Sequence, residues 1–377
     1  MIRRSWQRAV SAWAFAAGVA LVVSSAAGAD APTVRVLLER VPSSALVTLP
    51  DDTTRRVAAQ GSSGIRVEGR FVGAAWESAE TGLHRVGGWR FRGRVRIVRR
   101  GSELLVVGLI PLERYVEGTV GAEMPVSWSA AALEAQAIVS RTYALRAIAK
   151  PADGEYDLAA TVRSQVFGGL PAAVPRAVAA VAATRGEYLA YGGEPILAAF
   201  HSASGGRTAG AEEVWGRPLP YLRSRVVEEE DEAPSTYWRM AISRSTLRRA
   251  LAESGLDVGS QPALEVVSRW PSGRVRQLRA RGAEGTRELS GRLLRELLGP
   301  NVLKSTLFEV RTDETEVVLV GSGHGHGVGM SQWGARSMAQ RGMAPVAILA
   351  DFYPGTTLAR LPTSSTPAKR ASGSRER

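Results

Sequence analysis

The chain contains no cysteine among its 377 residues. Disulfide bonds, thiolate catalysis and every metal site built on cysteine are therefore excluded. Histidine is also scarce, with four residues, so a histidine-based site has few candidates to draw on. After residue 25, no apolar run is long enough to span a bilayer.

The amino terminus has the organisation of a secretory signal peptide. Three arginines stand among the first eight residues, residues 9–25 are largely apolar, and Ala27-Gly28-Ala29 forms a small-residue cleavage site. We expect residues 1–29 to be removed, and the protein to be exported to the periplasm or cell wall. The membrane would then be contacted only through the signal peptide before cleavage. An uncleaved membrane anchor is the alternative.

The chain is strongly basic, with a formal net charge of +12 that comes mostly from arginine. Such a surface favours a polyanionic neighbour, either nucleic acid, anionic lipid or a negatively charged wall polymer. A GC-rich genome that encodes arginine in place of lysine would produce the same charge. Export argues against nucleic acid as the partner.

The hydrophobic pattern predicts an α+β fold: a mixed, β-rich scaffold with a long central helix and a smaller α/β insert. Residues 30–110 read as β structure, because 94–98 alternates charged and apolar residues and 104–110 is a continuous apolar run. Residues 111–361 would form the main functional domain, with the insert at about 223–310. Residues 362–377 have almost no apolar side chains and are predicted to be a disordered basic tail.

The central stretch runs from Pro111 to Lys150 and places one acid, Glu123, before a long helix. We expect a short extended segment up to Glu123, because the residue before Pro125 is driven away from helical angles. Ser127 or Ser129 would cap the helix. It would continue to Ala149, since the sequence there is alanine-rich and free of glycine and proline.

One stripe of this helix carries two charges among apolar residues: Glu134, Ile138, Arg141, Leu145 and Ile148. Either the charges pair inside the fold or this face lines a cleft. We expect Arg141 to lie in a cleft and to pair with Glu134 or with a ligand group on the same stripe.

Three stretches in this order resemble the SpoIID/LytB family, which is named for a sporulation protein and an amidase enhancer. They are LERYVEGTVGAEMP with ALEAQAIVSRTYAL, then AFHSASGGRTAGAEEVWGRPLPYLRS, and finally GSGHGHGVGMSQWGARSMAQRG. The resemblance covers roughly residues 90–361. It implies an exported enzyme, or a cofactor-like protein, that acts on peptidoglycan, and it places Glu123 where the family carries its essential acid.

Glu123 is the candidate general acid and base. Apolar neighbours would raise the pKa of its carboxyl, whereas a nearby helix amino terminus would favour the anion. A solvated acid in a turn is the alternative. Glu117 and Glu134 are weaker candidates for a second carboxylate. A single acid suits lytic transglycosylation, in which the 6-hydroxyl of N-acetylmuramic acid attacks the anomeric carbon, and the family's sporulation members imply that reaction.

His201 ends a short predicted strand and is followed by Ser202 and Ser204. A serine nucleophile with a histidine base is conceivable, but the Gly-x-Ser-x-Gly pattern is absent. We expect these residues to contact sugar or to make structural hydrogen bonds.

His324 and His326 lie in a glycine-rich loop, and Gln332 and Trp333 open the next helix. The loop does not match the dinucleotide-binding pattern. A three-histidine zinc site with His201 is a minor alternative. We expect no metal and no cofactor. Gln332 and Trp333 suit sugar recognition, although a helix cap and a core tryptophan explain them equally well.

Two functions follow as alternatives. One is a lytic transglycosylase that cleaves peptidoglycan glycan strands, with Arg141 and the histidine, serine, glutamine and tryptophan side chains above contacting substrate. The other is a non-catalytic peptidoglycan-binding protein that stimulates a cell-wall amidase.

Overall fold

The computed structural model describes residues 32–362 apart from 152, 162–163, 229 and 314. Structural statements below concern these residues. The predicted signal peptide and residues 363–377 lie outside this range, so those two assignments stay predictions.

Strands dominate the amino-terminal part, where side chains alternate between buried and exposed positions. The strands are β1 Thr33–Val41, β2 Ser44–Thr48, β3 Thr54–Gln60, β4 Gly64–Val67, β5 Arg70–Gly73, β6 Ala75–Glu77, β7 Gly82–Val86, β8 Trp89–Arg100, β9 Glu103–Pro111, β10 Leu158–Ala159, β11 Glu187–Tyr191, β12 Glu194–Pro195, β13 Phe200–His201, β14 Trp238–Ser243, β15 Ala263–Arg269, β16 Val275–Gly282, β17 Gly285–Ser290, β18 Phe308–Thr312, β19 Glu316–Gly321, β20 Met330–Ser331 and β21 Thr357–Arg360.

Helices lie mainly between residues 112 and 183 and near the carboxyl terminus. They are α1 Leu112–Glu123, α2 Ala130–Ala149, α3 Pro175–Ala183, α4 Ala211–Trp215, α5 Arg244–Glu253, α6 Gly291–Leu298, α7 Gln332–Gln340 and α8 Pro345–Phe352, with a 3₁₀ turn at Leu170–Ala172.

The largest sheet has ten strands and is mostly antiparallel, in the order β10-β1-β9-β8-β7-β2-β3-β4-β5, with β6 paired to β8. Smaller sheets follow the orders β12-β11-β21, β14-β19-β18 and β15-β16-β17. β13 and β20 pair in parallel, with Phe200 opposite Met330 and His201 opposite Ser331. This last pairing joins two stretches that are far apart in the sequence.

The described residues form both helices and strands, which confirms the α+β class that the sequence predicted, and they pack around three clusters of buried apolar residues, of which two are large. The main core joins the large sheet to α1, α2, α3, α7 and α8. A second core is formed by apolar residues between 238 and 319, among them Trp238, Leu247, Leu278 and Leu319. Among the described helices, none is both long and apolar enough to cross a membrane.

The extended segment predicted before Glu123 is wrong, because residues 112–123 form helix α1. Leu112, Tyr115, Val116 and Val120 recur at helical spacing and bury one face of α1 in the main core. The constraint imposed by Pro125 therefore acts at the end of a helix. Met124 is extended there as predicted, with φ of −127° and ψ of 144°.

The long helix α2 is confirmed at Ala130–Ala149. Ser129 occupies its N-cap position, but its hydroxyl makes no capping hydrogen bond. Most of the helix is buried, since it packs against α1, α3, α7, α8 and β11. A helix surrounded in this way depends little on the intrinsic helix propensity of its residues, because tertiary packing supplies most of its stability.

Arg141 on α2 is fully buried and pairs with Glu113 on α1, so the expected pairing with Glu134 is wrong. Its Nε and Nη2 donate to the two carboxylate oxygens of Glu113 at 2.9 and 2.7 Å. Nη1 donates to the Glu187 carbonyl at 3.0 Å. This planar fork therefore ties α1, α2 and β11 together inside the fold.

We expect Arg141→Lys to lower the free energy of unfolding by about 3 kcal/mol, because lysine lacks the fork and leaves the Glu113 carboxylate poorly paired. Chemical denaturation measures this change. Arg114→Lys is the matched control: the exposed Arg114 pairs with Glu117 on the same helix α1, and the substitution should cost less than about 1 kcal/mol because lysine retains the charge. Equal effects of the two substitutions would contradict the assignment.

Candidate active site

The segment 165–172 lies unusually close to α1, and two glycines make this possible. A Cβ on Gly121 would stand 1.9 Å from the Ala172 carbonyl oxygen, and one on Gly118 would stand 2.7 Å from the Phe167 ring. Phe167 also stacks on Tyr115 with ring centroids 5.3 Å apart. Glycine is thus required where the two backbones approach.

This close approach covers the carboxyl of Glu123, the last residue of α1. Its Oε1 accepts a hydrogen bond from the Val166 backbone N–H at 2.6 Å. Burial raises the pKa of Glu123 to about 7, against the opposing effect of the Val166 N–H and the Gln332 amide. A carboxyl with this pKa exists in both protonation states near neutral pH, which general acid–base chemistry requires.

Gln332, the first residue of α7, connects the carboxyl-terminal motif to this acid. Its Nε2 donates to the Glu123 carbonyl oxygen at 3.2 Å and to Gln136 Oε1 at 3.4 Å. Gln136 is fully buried on α2 and donates to Ser140 Oγ at 3.0 Å. The amide chain fixes the position of Glu123 relative to α2 and α7.

A cleft of about 900 Å³ opens over Glu123. The side chains around it come from all three motifs and from the segment 223–310. Its lining is Glu123, Tyr143, Ser164, Val166, Leu197, Ala199, Phe200, His201, Ser202, Trp215, Arg217, Arg295, Pro300, Asn301, His324, Gly325, His326 and Gln332. Glu123 is the one carboxylate among these described lining residues.

The cleft histidines are held neutral. Burial lowers the pKa of His201 and of His326 to about 3, and Arg274 lowers that of His201 further. The pKa of His324 is also lowered, by burial and then by Arg295 and Lys304. None of these rings is an imidazolium at neutral pH. Glu123 is therefore the acid among these cleft side chains that can donate a proton.

Hydrogen bonds to the Val328 backbone orient two of these rings. His201 Nδ1 lies 3.1 Å from the Val328 carbonyl oxygen, and His326 Nδ1 accepts from the Val328 N–H at 3.0 Å. The two ring centroids are 5.7 Å apart. Among residues 32–362, with the gaps stated, no cluster of three or more metal-ligating side chains occurs.

Glu230 links the second motif to the third. Its carboxylate accepts from the backbone N–H of Ser204 at 3.1 and 3.0 Å and of Gly205 at 2.9 Å. It also accepts from the hydroxyls of Ser204 and Ser331. Ser331 in turn caps α7 by accepting from the Gly334 N–H. Sequence reasoning missed Glu230, because it lies in an acidic run that reads as a solvated surface.

Several predicted substrate contacts are placed together, and others are not. His201, Ser202, His324, His326 and Gln332 line the cleft with Glu123. For Arg141 and Ser204 the expected contact with substrate is wrong, because both are fully buried and bonded within the fold.

Trp333 lies outside the cleft lining. Its ring meets the edge of Trp128 with centroids 4.8 Å apart, and the Arg336 guanidinium stands 4.8 Å from its centroid. The structure therefore favours the packing role for Trp333 over sugar stacking.

Two arginines of the cleft were missed from the sequence. Arg217 follows α4, and Arg295 lies on α6 in the predicted insert. Nothing distinguishes them from the many other arginines until the chain is folded.

Comparison with known proteins gives two family matches. A family described as Stage II sporulation protein (SpoIID) matches residues 100–191, the part that contains α1, α2 and Glu123. A second family, described as a domain of unknown function (DUF8618), matches residues 221–329.

Named relatives cover more of the chain. Stage II sporulation protein D of Bacillus subtilis is 31% identical over 66% of this chain and 74% of its own length. That of Bacillus amyloliquefaciens is likewise 31% identical over 66% and 74%. The amidase enhancer of Bacillus subtilis is 31% identical over 64% of this chain and 40% of its own length. On these matches, the chain belongs to the SpoIID/LytB family.

Proposed function

We propose that this protein is an exported lytic transglycosylase. It cleaves the bond between N-acetylmuramic acid and N-acetylglucosamine in peptidoglycan glycan strands. The observation that carries the proposal is a single carboxyl, Glu123, with a pKa raised to about 7 at the wall of a cleft of about 900 Å³. Its relatives named Stage II sporulation protein D support a role at the cell wall.

The proposed reaction needs one carboxyl that changes protonation state. Protonated Glu123 gives its proton to the glycosidic oxygen as the bond from that oxygen to the anomeric carbon breaks. The resulting carboxylate takes the proton of the muramyl 6-hydroxyl, whose oxygen bonds to the anomeric carbon. The product is a 1,6-anhydro sugar, and Glu123 ends protonated. Atoms and charges balance without water, so no second carboxylate is required.

The residues around Glu123 suit these two steps. The Val166 N–H stabilises the carboxylate formed after proton transfer, and the Gln332 amide holds the backbone of Glu123. His324 and His326, which are half-buried and neutral on the cleft wall, hydrogen-bond to sugar hydroxyls without competing as acids.

The alternative is a non-catalytic protein that binds peptidoglycan and stimulates an N-acetylmuramoyl-L-alanine amidase. The relative named amidase enhancer favours it. Under this alternative the cleft binds glycan, but Glu123 transfers no proton. Analysis of products from purified sacculi separates the two functions.

Glu123→Gln should abolish release of 1,6-anhydromuramyl products, because the amide keeps the shape of the side chain but cannot donate and regain a proton. General acid–base catalysis contributes about 10²–10⁴-fold, and mass analysis of the released muropeptides measures this loss. Glu123→Asp should also be weak, since its carboxyl is withdrawn by one methylene.

Glu117→Gln is the matched control, because Glu117 lies on the same helix and pairs with Arg114 away from the cleft lining. Its products should match those of the wild type. Cleavage that survives Glu123→Gln would refute the assigned acid. No cleavage by wild type on peptide-free or peptide-bearing strands would favour the amidase-stimulating alternative.

Activity should decrease as pH rises through about 7, because deprotonation of Glu123 removes the proton donor. A profile of kcat/KM against pH on glycan strands measures this decrease.

The pH dependence of folding stability tests the same pKa independently. The pKa of Glu123 is raised from 4.5 to about 7 on folding, so between these values the folded state holds more protons than the unfolded state.

Folding stability contributed by this group therefore decreases as pH rises from about 4.5 to about 7. Glu123→Gln lacks this titration. Its melting temperature relative to wild type should rise across that interval and stay level above it. A constant difference in melting temperature would contradict the raised pKa.

Metal chelation should leave activity unchanged, because the described part of the chain has no cluster of three or more side chains that could hold a metal ion. Assays before and after dialysis against a chelator test this. Loss of activity that added zinc restores would instead support the three-histidine site.

A further inference from the structure

Two guanidinium groups of the cleft pair with no carboxylate among the residues that the structure describes. Arg217 is exposed and makes no hydrogen bond or ion pair with any residue that the structure describes. Arg295 is half-buried and bonds to backbone carbonyls alone, with Nε 2.9 Å from the Leu303 oxygen and Nη2 3.4 Å from the Pro300 oxygen. The neighbouring Glu296 already pairs with Arg292 at 2.6 Å.

A partly buried cation without a counter-ion is costly, because desolvation is not repaid by attraction to a nearby anion. Burial lowers the pKa of Arg295, which reflects this cost. Covered arginines elsewhere in the fold are stabilised in different ways: Arg35 and Arg141 pair with carboxylates, whereas the fully buried Arg274 donates to backbone carbonyls. Arg295 resembles Arg274 in its carbonyl contacts but lies on the wall of the cleft.

The remaining cleft groups do not neutralise these cations. The lining histidines are uncharged at neutral pH, and Glu123 is partly protonated there. The cleft therefore carries a net positive charge, and a positively charged cleft raises the local concentration of negatively charged ligands. A chain of uncharged sugars would leave both guanidinium groups unpaired.

The two sugars of a glycan strand differ in charge. N-acetylglucosamine is neutral, whereas N-acetylmuramic acid carries a lactyl ether that ends in a carboxyl group. That group is either a free carboxylate or the attachment point of a stem peptide with carboxylates of its own. A guanidinium fork matches a carboxylate with two parallel hydrogen bonds.

We propose that Arg217 and Arg295 form an anion subsite that binds a carboxylate of the muramyl unit and so sets which sugar lies next to Glu123. The two carbonyl contacts of Arg295 hold its guanidinium in place. Arg217 reaches the same cleft from the segment after α4. The inference rests on the proposed function for its substrate, but it concerns binding and not cleavage.

Binding in a non-cleaving background tests the subsite. Glu123→Gln protein, alone and with Arg217→Gln or Arg295→Gln, is titrated with three defined strands, and melting temperatures verify folding. The strands are peptide-free glycan with free lactyl carboxylates, the same glycan with those groups methyl-esterified, and peptide-bearing glycan. Arg295→Gln keeps an amide donor for the carbonyls, and Arg217→Gln removes an exposed side chain without partners.

We expect each arginine substitution to weaken binding of carboxylate-bearing strands about tenfold or more, since hydrogen bonds to charged groups are the strong ones. Binding of esterified strands should start weak and change little. Arg70→Gln is the matched control, because Arg70 is exposed on β5, outside the cleft lining, and removes the same charge. Arg295→Lys should recover only part of the affinity, because lysine retains charge without the fork.

The strands also identify the source of the carboxylate. A loss confined to peptide-free strands assigns the lactyl carboxylate, and a loss confined to peptide-bearing strands assigns the stem peptide. Either result supports the subsite. Equal binding of all three strands with both arginines present, or equal losses in Arg70→Gln, overturns it. Wild-type cleavage combined with that result would leave the proposed function standing, whereas arginine-dependent binding without any cleavage would leave the subsite standing alone.

Discussion

The close contact between α1 and the segment 165–172 is the constraint on which the site depends. Gly118 and Gly121 have no side chain to hold the two backbones apart. The segment therefore covers the end of α1, buries the carboxyl of Glu123 and directs the Val166 N–H at its oxygen. Burial outweighs this hydrogen bond, so the carboxyl keeps a proton near neutral pH.

Two further joints bring distant parts of the chain to that carboxyl. The Glu230 carboxylate holds the loop at Ser204 against the cap of α7 at Ser331. The start of α7 then presents Gln332 to Glu123 and to Gln136 on α2. Each joint satisfies buried polar groups that would otherwise be costly, so these loops have one well-defined arrangement.

The main core and the second core each position residues of the cleft. Helices of the main core hold Glu123 and Gln332, while α6 of the second core supplies Arg295. The family match that covers the acid ends at residue 191, and the match over the second region begins at residue 221. The proposed proton donor thus lies in the first match and Arg295 in the second, while Arg217 lies between them.

The sequence by itself determined the features that depend on local chemistry. The long α2 follows from an alanine-rich stretch without glycine or proline, the strands near residues 94–110 from alternation and apolar runs, and the extended Met124 from the proline that follows it. The absence of cysteine excluded thiolate chemistry. Resemblance to the SpoIID/LytB family marked Glu123 as the candidate acid, and residue chemistry made His201 and Gln332 candidates for sugar contact.

Only the tertiary structure decided what surrounds those candidates. The pKa of Glu123 is raised by burial and lowered by hydrogen bonds from Val166 and from Gln332, which is 209 residues away. Helical spacing suggested Glu134 for Arg141, but the interior placed Glu113 against it. That Arg295 forms no ion pair with a described carboxylate can be recognised only when the positions of the carboxylates around it are known. Burial and charge pairing are sums over neighbours that are distant in sequence, and local patterns do not contain them.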